Sequence, residues 1–184
     1  MKKTVLVVLA EGFEEIEAIT PIDVLRRAGL EVVVAGVGRQ EIAGAHGIKV
    51  TADVVLEKYQ GSPDAVVLPG GMPGADNLKK SKAVNELVQK MKNQNKVIGA
   101  ICASPALVLA SSGVLDGKKA TCYPGFESQF GPKVVFSKER VVKDGQVITS
   151  RGPGSAMEFA LGLVEQLAGK EEASRLSEGL LAKA

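Results

Sequence analysis

The amino-acid sequence predicts an α/β protein built on a doubly wound, mostly parallel sheet. Short β-branched runs alternate with segments of helical periodicity through the first hundred residues. Buried parallel strands show as continuous apolar runs because helices cover both of their faces. Alternation of strand and helix patterns is typical of βαβ units. Since 184 residues can enclose one complete hydrophobic core, we expect a single domain over residues 1–184.

The first predicted elements follow in chain order. Four β-rich runs are expected to form the centre of the sheet: residues 4–10, 31–37, 65–68 and 97–101. The first helix should carry apolar residues at three-residue steps: Ile16, Ile19, Ile22 and Leu25. Two arginines suit its C-terminus and Gly29 its C-cap. A further helix is expected over residues 81–93, and Pro73 with Gly74 is expected to form a turn.

The second half of the chain is expected to add a hairpin and two helices. Asp144-Gly145 separates two β-rich segments, and this dipeptide is a strong short-range signal for an antiparallel hairpin. A second β excursion is expected near a sheet edge in IAGAHGIKVTADVVL. After SRGPG the pattern becomes helical, over residues 155–167 and again over 171–181.

The composition excludes several classes of function. The 23 Lys and Arg residues nearly balance the 21 Asp and Glu residues without a basic block, so nucleic acid is not an expected partner. The longest apolar run, TVLVVLA, is far shorter than the roughly 20 residues that span a bilayer, so no membrane association is expected. The two cysteines suggest neither a disulfide framework nor a zinc site. We therefore expect a soluble, cytoplasmic protein with reduced thiols.

Cys102 stands where the run VIGAI ends and a helix begins. In an open α/β sheet this joint lies at the rim where ligands bind, and the helix dipole there stabilises a thiolate and lowers its pKa. The N–H of Ala103 and an N–H of Gly70 or Gly71, in the neighbouring PGG turn, can form an oxyanion hole. From position alone the alternative is that Cys102 is a small buried hydrophobe, which is our interpretation of Cys122.

Glu17 is the candidate acid or base. The loop EGFEE just before it brings three carboxylates to the same rim, and Glu17 lies at the border of the apolar stripe of the first helix. A carboxyl group beside a thiolate is pushed toward its protonated form, in which it donates a hydrogen bond or moves a proton. Glu14 and Glu15 are instead interpreted as solvated first-turn acids that complement the helix dipole.

Four motifs resemble one known family: EGFEEIEAITPIDVLRRAG, AVVLPGGMPGADNL, VIGAICASPALVL and VITSRGPGSAMEFAL. Together they are similar, nearly end to end, to the ThiJ/PfpI superfamily in its DJ-one branch. The resemblance implies a homodimer with a flavodoxin-like three-layer sandwich, a mostly parallel sheet and helices on both faces. It also implies that Cys102 is an oxidation-sensitive nucleophile at an elbow, hydrogen-bonded to a protonated Glu17. Gly71 and Ala103 then supply the oxyanion N–H groups, and no cofactor is required.

Two positions depart from the pattern of this family. Tyr123, in TCYP, stands where many members carry a histidine near the cysteine, so no imidazole is available there to accept a proton. His46, the only histidine of the chain, stands where an arginine often lies close to the site. The resemblance also implies dimerisation through the first helix, with Arg27 and Glu14 contributing from or toward the partner subunit. These four residues form the expected periphery of the site.

The residues and the resemblance together favour a cysteine-dependent, cofactor-free glyoxalase or deglycase. Its expected substrates are methylglyoxal, glyoxal or early glycation adducts, in oxidative and carbonyl stress. The alternative that stays open is a non-enzymatic redox sensor or chaperone in which Cys102 is oxidised to a sulfinate. Proteases and glutamine amidotransferases of this kind need a histidine base, and no histidine follows the cysteine here. A mononucleotide-binding flavodoxin is disfavoured because the acidic AEGFEE loop repels phosphate.

Overall fold

A computed structural model describes residues 2–182 and shows one large sheet with two small two-stranded sheets beside it. The strands of the described chain are β1 Thr4–Leu9, β2 Glu31–Gly36, β3 Glu41–Ala43, β4 Lys49–Thr51, β5 Val54–Val55, β6 Ala65–Leu68, β7 Val97–Ile101, β8 Lys119–Ala120, β9 Val135–Phe136, β10 Val141–Asp144 and β11 Val147–Ser150. Strands β3 and β4 form one small sheet, and β8 and β9 form the other. The remaining seven strands build the central sheet.

The seven central strands lie in the order β10-β11-β7-β6-β1-β2-β5. Their neighbours pair in parallel except β10, which is antiparallel to β11. Five of them, in the order β2-β1-β6-β7-β11, show the 2-1-3-4-5 pattern of flavodoxin-like folds. The chain therefore passes from β1 to β2 on one side and then returns to β6 on the other side of β1. A ligand site is expected at the carboxyl end of β1, where the strand order reverses in this way.

Helices cover both faces of this sheet. They are α1 Glu15–Arg27, α2 Gly74–Lys80, α3 Lys82–Asn93, α4 Ala156–Ala168 and α5 Lys170–Gly179. Buried side chains of α1, α4 and α5 form one apolar cluster with the sheet, and those of α2 and α3 form a second cluster on the opposite face. The predicted three-layer α/β fold is thereby confirmed. Nowhere in the described part of the chain does a helix have the length and apolarity needed to cross a membrane.

The predicted strands and the predicted hairpin are present. Each of the four β-rich runs forms a parallel strand, the first two ending one residue earlier than expected. In the hairpin, Asp144 pairs with Val147, so Gly145 and Gln146 form its two-residue loop. Gly145 has a φ of 61°, a left-handed conformation that glycine adopts without steric cost. The second β excursion forms β3 and β4, and β5 then joins the sheet edge.

The buried face of α1 differs from the predicted stripe. Ile16 and Ile19 are exposed, whereas Ile22 and Leu25 are buried. Ile16 and Leu25 are nine positions apart. Because a helix turns by about 100° per residue, this separation places them on roughly opposite sides of the helix. A step of three residues therefore drifts around the helix instead of following one face. Glu17 lies on the buried face itself and not at its border.

The predicted turn at Pro73 and Gly74 is only partly present, because Pro73 lies in a turn whereas Gly74 is helical. Gly74 begins the helix α2, and Pro73 occupies its N-cap position. The next helix, α3, begins as predicted, because the Ser81 hydroxyl accepts a hydrogen bond from the N–H of Val84 and so caps its first turn. Helix α2 was missed because its seven residues are too few to show an apolar period.

Candidate active site

The carboxyl ends of β1, β6 and β7 meet at one rim of the sheet, and Cys102 lies there directly after β7. Its φ is 65°, a left-handed conformation that is uncommon for a residue other than glycine. Both backbone polar groups of Cys102 are hydrogen-bonded. Its N–H donates to the Ser150 carbonyl at 2.9 Å, and its carbonyl accepts from Tyr123 N–H at 2.8 Å. The surrounding structure therefore maintains a sharp turn that projects the thiol at the strand end.

Two backbone N–H groups lie at the Cys102 sulfur. They belong to Ala103, the next residue along the chain, and to Gly71, in the turn that follows β6. Gly71 has a φ of 88°, which directs its N–H to this point without a side chain in the way. Both N–H groups favour negative charge on the sulfur, and the same donors suit an oxyanion formed beside it.

Glu17 projects from the buried face of α1 into the same rim. Its side chain is fully buried, its Oε2 accepts a hydrogen bond of 2.9 Å from Gly70 N–H, and it hydrogen-bonds the Cys102 side chain. Burial raises the pKa of Glu17 to about 7, with a smaller contribution from the negative charge of Glu14. The Gly70 and Cys102 hydrogen bonds act in the opposite direction. Near neutral pH this carboxyl can therefore either hold or accept a proton.

The second oxygen of the Glu17 carboxyl, Oε1, is buried and has no hydrogen-bond partner within the described chain. It faces the backbone of Gly152, where a β-carbon would lie 3.9 Å from Oε1 and 3.0 Å from the ring of Tyr123. A buried acceptor without a donor is costly to maintain and is typical of a functional site. One oxygen of Glu17 is thus anchored by Gly70, while the other makes no hydrogen bond within the described chain.

The expectation of a lowered thiol pKa was wrong. Burial raises the pKa of Cys102 to about 12, and the negative charge of Glu17 adds to the increase. The N–H groups of Gly71 and Ala103 offset only part of it. Above neutral pH the thiol and the carboxyl therefore hold one proton between them. That proton can reside on the sulfur or on the carboxyl oxygen, and the net charge of the pair is the same in both states.

Gly70 has a different role from the one predicted. Its N–H is used by Glu17 and is not available to an oxyanion, which leaves Gly71 and Ala103 as the donors at the sulfur. A β-carbon at Gly70 would lie 2.6 Å from the Cys102 β-carbon and 2.8 Å from Oε2 of Glu17. Gly70 therefore allows the turn after β6 to pack directly against both side chains.

Gly70→Ala is expected to destabilise the protein by about 1–3 kcal/mol, because the added methyl group overlaps Cys102 and Glu17. Urea unfolding compared with the wild type measures this loss. Gly154→Ala is the matched control, since a β-carbon at Gly154 has open space and its change should stay within about 0.5 kcal/mol. Equal stabilities of the two variants would contradict the close packing described for Gly70.

Tyr123 lies beside the site, as the sequence suggested. Its contribution is structural, whereas an imidazole at this position could accept a proton. Its backbone N–H binds the Cys102 carbonyl, and its ring packs over Gly152. The ring is half exposed and makes an edge-to-face contact with Phe126, with ring centroids 6.5 Å apart. Tyr123 therefore supports the elbow through its backbone and forms an aromatic wall near Glu17.

Glu14 and Glu15 are not solvated acids, contrary to the prediction. Glu14 is buried and caps α1, its carboxylate accepting a hydrogen bond of 2.8 Å from Glu17 N–H. Glu15 is also buried and binds the turn between β3 and β4, accepting from His46 N–H at 2.7 Å and contacting the His46 ring at 2.9 Å. The ligand atoms of Glu14, Glu15 and His46 lie within 4.8 Å of one another, but Glu14 already caps α1, and Glu15 and His46 already bind each other and attach the hairpin to α1.

The other residues that the sequence singled out have partners or surroundings of their own. Arg27 is at the far end of α1, about 15 Å along the helix from Glu17, and pairs with Asp23 at 2.7 Å. The side chain of His46 is mostly exposed, and its contact with Glu15 raises the pKa of its imidazole. Cys122 is completely buried, and burial raises the pKa of its thiol to about 12.

Two residues of this site were not singled out from the sequence, Ser104 and Gly152, although the segment SRGPG that contains Gly152 was expected to anchor the turn beside the site. Ser104 is fully buried, and its hydroxyl donates a hydrogen bond of 2.5 Å to the Pro69 carbonyl. Gly152 leaves the space into which the Tyr123 ring packs. The partners of Ser104 and Gly152 are far away along the chain, so no local pattern could have identified them.

The sequence and the fold of this chain are similar to those of several known proteins. The DJ-1/PfpI family model matches residues 3–166. The Parkinson disease protein 7 homolog of Danio rerio is 43% identical over 186 residues, which cover 98% of each chain. The glutathione-independent glyoxalase DJR-1.2 of Caenorhabditis elegans is 37% identical over 97% of this chain and 96% of its own. The solved structure of oxidized DJ-1 from Toxoplasma gondii has a TM-score of 0.95 and 43% identity, covering 99% of this chain and 100% of that one.

Some relatives are considerably longer. Protein DJ-1 homolog B of Arabidopsis thaliana is 45% identical over 181 residues, which cover 97% of this chain but 41% of that protein. The chain thus spans less than half the length of this plant relative.

Proposed function

Because the chain belongs to the DJ-1/PfpI family, we propose that it is a cysteine-dependent, cofactor-free glyoxalase or deglycase. Its substrates are methylglyoxal, glyoxal or early glycation adducts, and its role lies in oxidative and carbonyl stress. The observation that carries the proposal is the meeting of a thiol, a fully buried carboxyl and two N–H donors at one strand end. The similarity to a relative named as a glutathione-independent glyoxalase supports the same chemistry.

The first step is attack of the Cys102 sulfur on the aldehyde carbon. Since burial keeps this thiol protonated, the Glu17 carboxylate takes the S–H proton as the carbon–sulfur bond forms. The aldehyde oxygen becomes an oxyanion that the N–H groups of Gly71 and Ala103 stabilise. Return of the proton to that oxygen gives a hemithioacetal.

The second step moves a proton between the two carbons of the substrate. The Glu17 carboxylate removes the hydrogen from the former aldehyde carbon to give an enediolate, the hydroxyl proton of that carbon passes to the neighbouring oxygen, and Glu17 then returns its proton to the neighbouring carbon. The product is a thioester of a 2-hydroxy acid on Cys102, which water hydrolyses to the free acid and the thiol. Methylglyoxal and water thus give lactate and a proton, with no net oxidation. Each step uses Glu17 once as base and once as acid, which suits a pKa near 7.

Purified protein incubated with methylglyoxal, without glutathione or added metal, tests this proposal. Lactate formation followed by a coupled assay or by NMR is the expected result, and glyoxal should give glycolate. A deglycase activity is separated by following early adducts of methylglyoxal with a model peptide after the free aldehyde has been removed. A wild-type protein that is folded but forms no hydroxy acid from either substrate would refute the glyoxalase proposal.

The second candidate is a redox sensor or chaperone that acts without turnover. It is favoured by the N–H donors of Gly71 and Ala103, which stabilise a sulfinate as well as an oxyanion. The structural relative from Toxoplasma gondii described as oxidized supports this candidate. Mass spectrometry after graded peroxide would show Cys102 stopping at a gain of two oxygen atoms, with Cys122 unmodified. Uniform oxidation of both cysteines, or passage to the sulfonate, would count against a sensor.

A homodimer is the assembly we propose for this function. The outer face of α1 exposes Ile16 and Ile19, and the neighbouring hairpin turn exposes Ile48. Exposed isoleucines grouped on one helix and an attached hairpin are typical of a protein–protein contact. Such a dimer would use the outer face of the same helix whose inner face carries Glu17. Sedimentation velocity is the measurement, with a monomer at micromolar concentration as the contradicting result.

A further inference from the structure

The peptide group between Pro69 and Gly70 is held at both ends by buried side chains. At its carbonyl end, the Ser104 hydroxyl donates a hydrogen bond of 2.5 Å to the Pro69 oxygen. At its amide end, Gly70 N–H donates a hydrogen bond of 2.9 Å to Oε2 of Glu17. Ser104 and Glu17 are both fully buried. A continuous series of hydrogen bonds therefore runs from the hydroxyl, through one peptide group, to the carboxyl.

This series affects how strongly Gly70 binds the carboxyl. A hydrogen bond to a carbonyl oxygen polarises the amide, and polarisation strengthens the bond that the N–H donates by roughly 10–30%. The effect is retained in a buried site, where the low local dielectric does not screen it. The Ser104 hydroxyl thus makes Gly70 N–H a better donor to Glu17.

The same contact orients the backbone. A peptide group is planar, so a carbonyl anchored by Ser104 also fixes the direction of Gly70 N–H. The next N–H along the chain belongs to Gly71 and lies at the Cys102 sulfur. One hydroxyl therefore fixes the peptide plane from which the carboxyl receives its backbone donor, and that plane adjoins the peptide group that carries Gly71 N–H.

We propose that Ser104 is a positioning residue of the active site, which orients the Glu17 carboxyl beside the Cys102 sulfur through the Pro69–Gly70 peptide group. It acts through Glu17 and does not enter the reaction itself. The inference rests on the proposed role of Glu17 and adds a residue that supports it. A purely structural hydroxyl would stabilise the fold to a similar extent, so a test based on stability alone does not separate the two roles.

The test follows the titration of Glu17 itself. Protein labelled with 13C at glutamate carboxyl carbons gives one resonance per glutamate, and the Glu17 signal is the one missing from Glu17→Gln. Because the Gly70 hydrogen bond lowers the pKa of Glu17, Ser104→Ala should move its titration midpoint upward by about 0.2–0.6 pH unit. Ser104→Thr, which keeps the hydroxyl, should titrate like the wild type. Ser104→Gly serves as a second variant without the hydroxyl if the alanine variant fails to fold.

Ser111→Ala is the matched control, because it removes another hydroxyl that donates to a backbone carbonyl, that of Leu107 at 2.8 Å. Its Glu17 midpoint should equal that of the wild type. A midpoint in the variants without the Ser104 hydroxyl that equals the wild-type value would overturn the proposal. Because the titration needs no turnover, it remains informative if the wild type forms no hydroxy acid, a result that would refute the proposed function alone.

Discussion

Cys102→Ser is expected to abolish hydroxy acid formation from methylglyoxal, lowering kcat/KM by at least about 10³-fold. Every proposed step passes through a bond between carbon and this sulfur. A serine hydroxyl is a much weaker nucleophile, and Tyr123 stands where an imidazole could have activated it. The measurement is the initial rate of lactate formation at substrate concentrations below and above the wild-type KM.

Cys122→Ser is the matched control for this variant. Cys122 is the second free cysteine of the described chain, and it too is buried with a raised pKa. It should keep wild-type activity, while both serine variants keep the circular dichroism spectrum of the fold. Equal activity in Cys102→Ser and the wild type would place the chemistry elsewhere. Loss of activity in Cys122→Ser alone would do the same.

Glu17→Gln is expected to lower kcat by roughly 10²–10⁴-fold, the range contributed by a positioned acid or base. The amide keeps the size of the side chain and can still accept from Gly70 N–H, but it cannot take up the thiol proton or move a proton between carbons. Glu171→Gln, a change at a glutamate in the first turn of α5, is the control and should keep full activity. A Glu17→Gln variant with wild-type kcat would show that another group moves the protons.

The same variant should change the pH dependence of stability. The pKa of Glu17 is about 7 in the folded chain and near its ordinary value of 4.5 when unfolded, so the folded state binds its proton more tightly. This contribution to the free energy of unfolding is fully present below pH 4.5 and is lost as the pH rises through 7. It amounts to about 3 kcal/mol. Urea unfolding at several pH values should show this decline in the wild type and not in Glu17→Gln.

Much of the fold could be predicted because its central strands are buried on both faces. Runs such as 65–68 contain almost only apolar residues, and this pattern is typical of a parallel sheet. The inner face of α1 could not be predicted in the same way. Its buried face includes carboxyl groups, so apolar residues marked the outer face as strongly as the inner one. Periodicity indicates burial only where burial is apolar.

The positions of Cys102 and Glu17 could be predicted from strand ends and from the family motifs, but their energetics could not. The N–H groups near the sulfur favour a thiolate, but the burial of the thiol and the charge of the carboxyl outweigh them, and neither is visible in a local sequence pattern. Ser104 could not be predicted because its partner lies 35 positions earlier in the chain. Such a contact depends on how β6 and β7 lie side by side, which only the folded chain shows.

The absence of a side chain at position 70 limits how this protein can diverge. While the thiol and the carboxyl are retained, position 70 has little room for any residue other than glycine, because even one methyl group would overlap both side chains. Distant descendants that exchange the glycine for a larger residue should therefore have lost or relocated the acid as well. A survey of such lineages could use this single position to separate chains that have kept the chemistry from chains that have kept only the architecture.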